Sequence, residues 1–213
     1  MKLLAIGAHP DDIELGCGGT LALASKLGHQ IWVVIVSGDA AFNYENIAIR
    51  TSEQAATETY GAMEILGVEQ TIRLGFADKD IPYNSNLIER LDKIITEFRP
   101  DRIFTHWPFD THQDHCSSAL SSISASRYFN SILMVEPLPP SGRSYVGFRP
   151  QLYIDITSVI DTKLASLKAH RSQYARYGER WIKAVESRAS HRGFEMGVNY
   201  AETFEVMRFE LKL

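Results

Sequence analysis

The stretch GAHPDDIELGCGG, residues 7–19, follows an apolar run at residues 3–6 and precedes an apolar, helix-like run at residues 20–27. An apolar run, a polar turn and a helical run in this order are typical of the first strand, loop and helix of an α/β sheet. Ligands of such sheets bind outside the carboxyl ends of the strands. The His, the two adjacent Asp and the Glu of this stretch therefore lie where a functional site is expected.

Apolar, β-rich runs recur along the chain, at residues 2–6, 31–36, 71–74, 102–105, 132–135 and 152–156. Several of them are apolar throughout, as strands covered on both faces of a sheet are. Helical patterns accompany them, at residues 19–27, 47–66, 87–98 and 157–177. The alternation predicts an α/β fold, a Rossmann-like three-layer sandwich with a mainly parallel sheet.

The composition is that of a globular protein with one sizeable core, since 45% of its 213 residues are hydrophobic and 23% are charged. No linker, charge block or repeat divides the sequence, so we expect a single domain over residues 1–213. The net charge of −4 gives no electrostatic reason to expect nucleic acid or an anionic membrane surface as a partner.

The two cysteines, Cys17 and Cys116, are too few for a disulfide scaffold and lack the paired spacing of a structural zinc site. The sequence has no run of about 18 apolar residues, so we expect no membrane span. Residues 9–12 interrupt the first apolar run too early for the apolar region of a signal peptide. Together these features favour a cytoplasmic location.

A second polar stretch, HWPFDTHQDH at residues 106–115, also follows a predicted strand. It holds three of the seven His in the chain and two Asp. His112 and His115 are three residues apart, a spacing that places both on one face of a helical turn. Because the carboxyl ends of parallel strands meet at one edge, we expect this stretch to lie beside residues 9–12.

Simpler interpretations exist for both stretches. Asp11 or Asp12 can cap the helix that follows, and residues 106–115 can be a polar loop without a ligand. Two separate strand ends that both carry His and Asp favour a shared site over these alternatives.

Imidazoles and a carboxylate form a ligand set that suits Zn²⁺, with other divalent metals also compatible. Two His and one Asp leave a coordination position for water, whose pKa zinc lowers to about 7. The second Asp of the pair is then free to act as a base. We therefore expect one zinc ion per chain, although the residues alone do not say which Asp is the ligand.

The chain resembles the PIG-L/LmbE family of zinc-dependent N-deacetylases, which remove acetyl groups from amino sugars and their conjugates. Residues 8–19 match its signature A-H-P-D-D-x-E-x-G-C-G-G at every defined position. Residues 112–115 match a second signature, H-x-D-H. A third pattern, R-G-x-x-x-G-x-x-Y-A-E-x-F, is met by residues 192–204.

The resemblance implies roles for six polar residues of the two stretches. Asp11 would be the general base that deprotonates the water and then the acid that protonates the departing amine. His112 would polarise the amide carbonyl, with Asp114 holding the other nitrogen of its ring. Three residues would bind the zinc: His9, Asp12 and His115.

Two further residues are implied to bind substrate. The family uses an Arg at the position of Arg50 in its sugar site, and the alternative is a solvated helix-start Arg paired with Glu53. Asp78 matches a family position that binds sugar hydroxyls, although Lys79 stands where the family usually has Gly. Residues 163–173 resemble a family segment, K-x-x-A-L-x-A-H-x-S-Q, that we expect to support the pocket rather than perform chemistry.

The implied reaction is zinc-dependent hydrolysis of the N-acetyl amide of an amino sugar or its conjugate, of the N-acetylglucosamine type. It would release acetate and the free amine. The partner is then a small-molecule amino-sugar conjugate, with no nucleic acid and no membrane, and the oligomeric state stays open, a homo-oligomer included.

Three alternatives are a deacylase of another N-acyl sugar or amide, a nucleotide-binding module and a non-catalytic sugar-binding protein. A nucleotide-binding module would need G-x-G-x-x-G after the first strand, where this chain has residues 7–9, GAH. Asp39 alone is weak support for such a module. A non-catalytic protein would be expected to lose Asp11 or a ligand, and the sequence retains them all.

Overall fold

The computed structural model describes residues 1–38, 41–42 and 48–211. Its strands are β1 (Lys2–Gly7), β2 (Gln30–Ser37), β3 (Ala41–Phe42), β4 (Ala48–Arg50), β5 (Gln70–Phe76), β6 (Arg102–Thr105), β7 (Ile132–Val135), β8 (Leu152–Asp155) and β9 (Ala201–Arg208). Its α-helices are α1 (Asp12–Lys26), α2 (Ser52–Leu66), α3 (Ser85–Phe98), α4 (Gln113–Ala125), α5 (Ile160–Ala169) and α6 (Arg171–Met196).

Seven strands form one sheet in the order β5-β2-β1-β6-β7-β9-β8. The first five strands in this order, β5, β2, β1, β6 and β7, are parallel to one another. Strand β9 pairs antiparallel with both β7 and β8. Strands β3 and β4 form a separate two-stranded antiparallel sheet. The predicted mainly parallel sheet is confirmed.

The sheet is covered on both faces because side chains alternate along each strand. On β1, Leu3 and Ala5 join a core cluster with α1, α2 and α5, while Leu4 and Ile6 join a second cluster with α3. The resulting helix–sheet–helix arrangement confirms the predicted three-layer sandwich.

Several helix bounds differ from the predicted ones. Helix α2 begins at Ser52, where the Thr51 side chain accepts from the Gln54 amide in a capping box. The predicted start of this helix, Ile47, lies outside the described residues, as does Asp39. The predicted helix 157–177 is a 3₁₀ turn (Thr157–Val159) followed by two α-helices that meet at His170.

Helix α1 is interrupted at Cys17, whose φ of −146° is not helical. The second half of the helix is capped from a distance by Glu202 of β9, whose carboxylate accepts from the amides of Gly19 (2.8 Å) and Thr20 (2.7 Å). Lys163 of α5 pairs with this carboxylate and also donates to the Leu15 carbonyl (2.9 Å). The last strand therefore fixes the helix that begins at the polar stretch.

Among the described residues, no helix combines the length and apolarity that crossing a bilayer requires.

Candidate active site

The two polar stretches meet at the carboxyl edge of the sheet. Ile6 of β1 lies opposite Thr105 of β6, so the loops after these strands are neighbours. His106 joins them directly, since its Nε2 accepts a hydrogen bond of 2.9 Å from the Ala8 amide. The predicted convergence of the two loops is confirmed.

Asp11 and Asp12 differ in their conformation and contacts at the start of α1. Asp11 is the N-cap residue, with a left-handed φ of 86°, which is uncommon outside glycine. Its side chain makes no capping hydrogen bond within the described part of the chain. The Asp12 carboxylate accepts from the His9 amide at 2.7 Å. The interpretation of this pair as simple helix caps is therefore not supported.

The donor atoms around Asp12 have the spacing of a metal centre. His9 Nδ1 lies 3.5 Å from one Asp12 carboxylate oxygen, and His115 Nε2 lies 3.5 Å from the other. Two donors bound at about 2.1 Å to one tetrahedral ion lie roughly 3.4 Å apart. Each imidazole therefore lies at a distance from the carboxylate that a shared zinc ion allows, and the three side chains fit zinc in their chemistry.

Three overlapping groups of side chains in the described residues bring donor atoms within 4.8 Å of one another. Each contains at least one of the three predicted zinc ligands. The assignment of His9, Asp12 and His115 as ligands stays a prediction, because none of the groups contains all three of them. The groups are His9–His112–His115, Asp12–His106–His115 and His9–Asp78–Asp114.

His106 belongs to this site, although no role was predicted for it from the sequence. Its buried ring stacks on that of His115, with ring centroids 4.2 Å apart. Burial lowers the pKa of His106, and the neighbouring His115 lowers it further, which favours the neutral ring. The same Nε2 lies 3.1 Å from an Asp12 carboxylate oxygen. The sequence feature that could have identified His106 as a site residue is its position directly after β6.

Asp114 contacts a different imidazole from the predicted one. Its fully buried carboxylate lies 2.9 Å from Nε2 of His9 and also accepts from the amides of Lys79 (2.7 Å) and Ile81 (3.2 Å). His112 Nδ1 instead accepts from the backbone amide of Asp114 at 3.2 Å. The reason is that His112 is the N-cap of α4, so it faces the amides of the first turn.

Asp110 takes the corresponding position beside His115. Its carboxylate lies 2.9 Å from Nδ1 of His115 and accepts from the His112 amide at 2.9 Å. No role was predicted for Asp110 from the sequence.

Charges at the site separate the two adjacent acids. Burial raises the pKa of Asp11 to about 7, and the charge of Asp12 contributes to the shift. Burial acts in the same direction on Asp12, but His115 and His106 outweigh it and lower its pKa. One carboxylate is therefore held as an anion among the imidazoles, while the other has a proton affinity suited to a general base near neutral pH.

Arg50 lies at the end of β4 and is 4% exposed, so the alternative of a solvated arginine paired with Glu53 is wrong. It pairs with Glu58 at 3.7 Å. Its Nε and Nη1 have no hydrogen-bond partner among the described residues. The charge of Arg50 lowers the pKa of Asp11, against the effect of burial.

Asp78 lies at the same edge, with Oδ1 3.2 Å from Nε2 of His9 and a side chain 23% exposed. Lys79, where the family usually has Gly, adopts a φ of 66°. The turn therefore keeps the left-handed conformation that glycine favours, at a cost of about 1 kcal/mol.

The segment at residues 163–173 packs behind the site. His170 and Glu14 are fully buried and lie 2.6 Å apart, and Lys163 binds Leu15 and Glu202 as described above. Both contacts hold α1, in agreement with a supporting role.

The family model described as PIG-L: GlcNAc-PI de-N-acetylase matches residues 4–125, which include both polar stretches. The chain belongs to this family. The resemblance inferred from the motifs is confirmed.

Relatives of this PIG-L chain include named deacetylases. The uncharacterised deacetylase YaiS of Escherichia coli (strain K12) is 38% identical over 178 residues, 80% of this chain and 90% of the relative. Diacetylchitobiose deacetylase of Thermococcus kodakarensis is 28% identical over 220 residues, 94% of this chain and 81% of the relative. A crystal structure of a conserved protein from Thermus thermophilus matches with a TM-score of 0.84 and 26% identity, covering 99% of this chain and 96% of that one.

Proposed function

We propose that this PIG-L chain is a zinc-dependent N-deacetylase that hydrolyses the N-acetyl amide of an amino sugar or its conjugate. The observation that carries the proposal is the position of Asp11, a half-buried carboxylate with a raised pKa, next to His9, Asp12 and His115. An acid that can gain and lose a proton beside a metal centre is the arrangement that amide hydrolysis requires.

A bound zinc ion would supply Lewis-acid chemistry, lowering the pKa of the attacking water and stabilising negative charge on the acetyl oxygen. The Asp11 carboxylate takes the proton of that water. It then returns the proton to the nitrogen as the C–N bond breaks, which releases acetate and a free amine.

His112 donates a hydrogen bond to the acetyl oxygen in this proposal. Burial, with the charges of His115 and His9, lowers the pKa of His112, so the ring is neutral near pH 7. Its Nδ1 accepts from the Asp114 amide, so its single proton lies on Nε2. A preoriented N–H is suited to stabilise charge that develops in the transition state.

The substrate class follows from the relatives and from two side chains. The relative named diacetylchitobiose deacetylase supports an N-acetylglucosamine-type substrate. Asp78 is partly exposed at the site and offers carboxylate oxygens to sugar hydroxyls. Nε and Nη1 of Arg50 make no hydrogen bond among the described residues, which supports a role as a donor to substrate. One zinc per chain and a cytoplasmic location belong to the same proposal.

The test combines metal analysis with acetate release from N,N′-diacetylchitobiose and N-acetylglucosamine. We expect about one zinc per chain and equal amounts of acetate and primary amine. Asp11→Asn should keep the zinc and lose activity by about 10²–10⁴-fold. A zinc-loaded chain that binds these sugars without releasing acetate would be a binding module, and a chain that binds no zinc would overturn the proposal.

A further inference from the structure

We propose that Asp110 and Asp114 are paired positioning residues, each of which fixes one ligand imidazole. Asp110 holds His115 and Asp114 holds His9, in both cases through the ring nitrogen that faces away from Asp12. The inference rests on the proposed metal centre and deepens it.

The contacts of His115 define which of its nitrogens carries the proton. Nδ1 lies 2.9 Å from Oδ2 of Asp110, and Nε2 lies 3.5 Å from Asp12. An ionised carboxylate only accepts hydrogen bonds, so Nδ1 carries a proton, and in the neutral ring Nε2 is the nitrogen left free to bind a metal ion. This is the tautomer that a metal ion beside Asp12 would need.

The contacts of His9 are the same with the nitrogens exchanged. Nε2 lies 2.9 Å from Oδ2 of Asp114, and Nδ1 lies 3.5 Å from Asp12. Asp78 approaches the same Nε2 at 3.2 Å, but its side chain is 23% exposed whereas that of Asp114 is fully buried. Asp114 is therefore the stronger constraint on this ring.

Both carboxylates are themselves fixed by hydrogen bonds. The free oxygen of Asp110 accepts from the His112 amide, and Asp114 accepts from the amides of Lys79 and Ile81. Carboxylates held in this way restrict the rotation of the imidazole and raise its basicity toward a metal. Asp110 and Asp114 flank His112 in sequence, so one turn of chain orients both ligands.

The experiment measures the zinc dissociation constant by chelator competition for the wild type, Asp110→Asn and Asp114→Asn. Asp155→Asn is the control, because Asp155 is exposed and its carboxylate accepts from the amide of Thr157 on a distant turn. We expect each site variant to bind zinc about 10–100-fold more weakly. The control should match the wild type.

A second measurement uses the wild type, so it does not depend on a variant that folds. Long-range ¹⁵N–¹H correlation spectra of the zinc-loaded chain should show His115 protonated on Nδ1 and His9 protonated on Nε2. The opposite tautomer at either ring overturns the inference for that ring.

The outcomes separate the two proposals. If the wild type binds no zinc, or if His115→Ala binds it as tightly as the wild type, the metal centre itself is wrong. If the wild type binds zinc and His115→Ala does not, while both Asn variants match Asp155→Asn, only the positioning role is wrong.

Discussion

Nδ1 of His112 accepts a hydrogen bond from the backbone amide of Asp114, while the Asp114 side chain faces His9. The backbone of Asp114 thus contacts the imidazole of His112, and its side chain contacts the imidazole of His9. A change at the Asp114 side chain should therefore act on the metal centre, whereas a change at His112 should act on the reaction.

The first prediction concerns His112. Replacing His112 by Phe removes the Nε2–H donor and should lower kcat by about 10²–10³-fold, the usual effect of losing one such donor. The zinc content should stay that of the wild type, because the His112 ring is not one of the three predicted ligands. Steady-state kinetics with metal analysis on the same sample test this. A His112→Phe chain with normal kcat would remove His112 from the reaction.

The second prediction separates Asp11 from Asp12. Asp12→Asn should lower the zinc affinity, since the Asp12 carboxylate lies between the donor nitrogens of His9 and His115. Asp11→Asn should leave the zinc affinity within a few-fold of the wild type while it abolishes most of the turnover. Zinc titration of both variants is the measurement, and the opposite order of affinities would mean that the two acids exchange roles.

The third prediction concerns the ion pair of Lys163 and Glu202, whose side chains are 3% and 4% exposed. Glu202→Gln leaves the Lys163 ammonium buried without its anion and weakens the cap of α1. We expect a loss of about 3–5 kcal/mol in the free energy of unfolding, measured with urea.

Glu205→Gln is the matched control on the same strand, because the partner of Glu205, Arg149, is 74% exposed. Its loss should be smaller, since Arg149 stays in water when the pair is broken. Equal losses for the two variants would contradict the importance of the buried pair.

The sequence predicted six strands of the main sheet because each is a short apolar run, but it did not predict β9. That strand carries Glu202 and Glu205, whose burial depends on Lys163 and Arg149 from elsewhere in the chain. Because these buried residues are charged and their partners are distant in sequence, β9 does not appear as an apolar run. The predicted end at Tyr177 matches a kink at Gly178, whose φ of 64° divides α6 into two helical segments, and the second segment was not predicted.

The sequence also predicted that two loops would meet, because strand order and residue type are local signals. It did not show which nitrogen of each imidazole faces which carboxylate. That choice depends on the start of α4 at Gln113 and on the turn after β5, which together direct Asp114 toward His9. The sequence shows His106 and Asp110 in the same stretch, but their contacts with His115 are seen only in the folded chain.

The fourth prediction concerns pH and Glu136. Burial raises the pKa of this carboxyl, but its hydrogen bond to Arg192 and the charge of Arg188 outweigh burial, so the pKa lies below the ordinary value of 4.5. A depressed pKa stabilises the folded state above the unfolded pKa, and that stability is lost as the pH falls through the folded pKa. We expect Glu136→Gln to cost about 2 kcal/mol at pH 7.

The difference between wild type and Glu136→Gln should shrink as the pH falls below about 4.5, because protonation then removes the same charge from the wild type. Urea unfolding of both chains at pH 7, 5.5 and 4 measures this. A difference that stays constant over the range would show that packing and not the charge of Glu136 stabilises this part of the fold.

The fifth prediction concerns Lys79, which holds a left-handed φ of 66° while its amide donates to Asp114. Lys79→Gly should keep this turn without strain and leave the free energy of unfolding within about 1 kcal/mol of the wild type. Lys79→Val should cost about 1–2 kcal/mol, because a β-branched residue is disfavoured at positive φ. Because the Lys79 amide helps to fix Asp114, Lys79→Val should also weaken zinc binding, whereas Lys79→Gly should not. Equal zinc affinities in the two variants would show that the conformation of this turn has no influence on the metal centre.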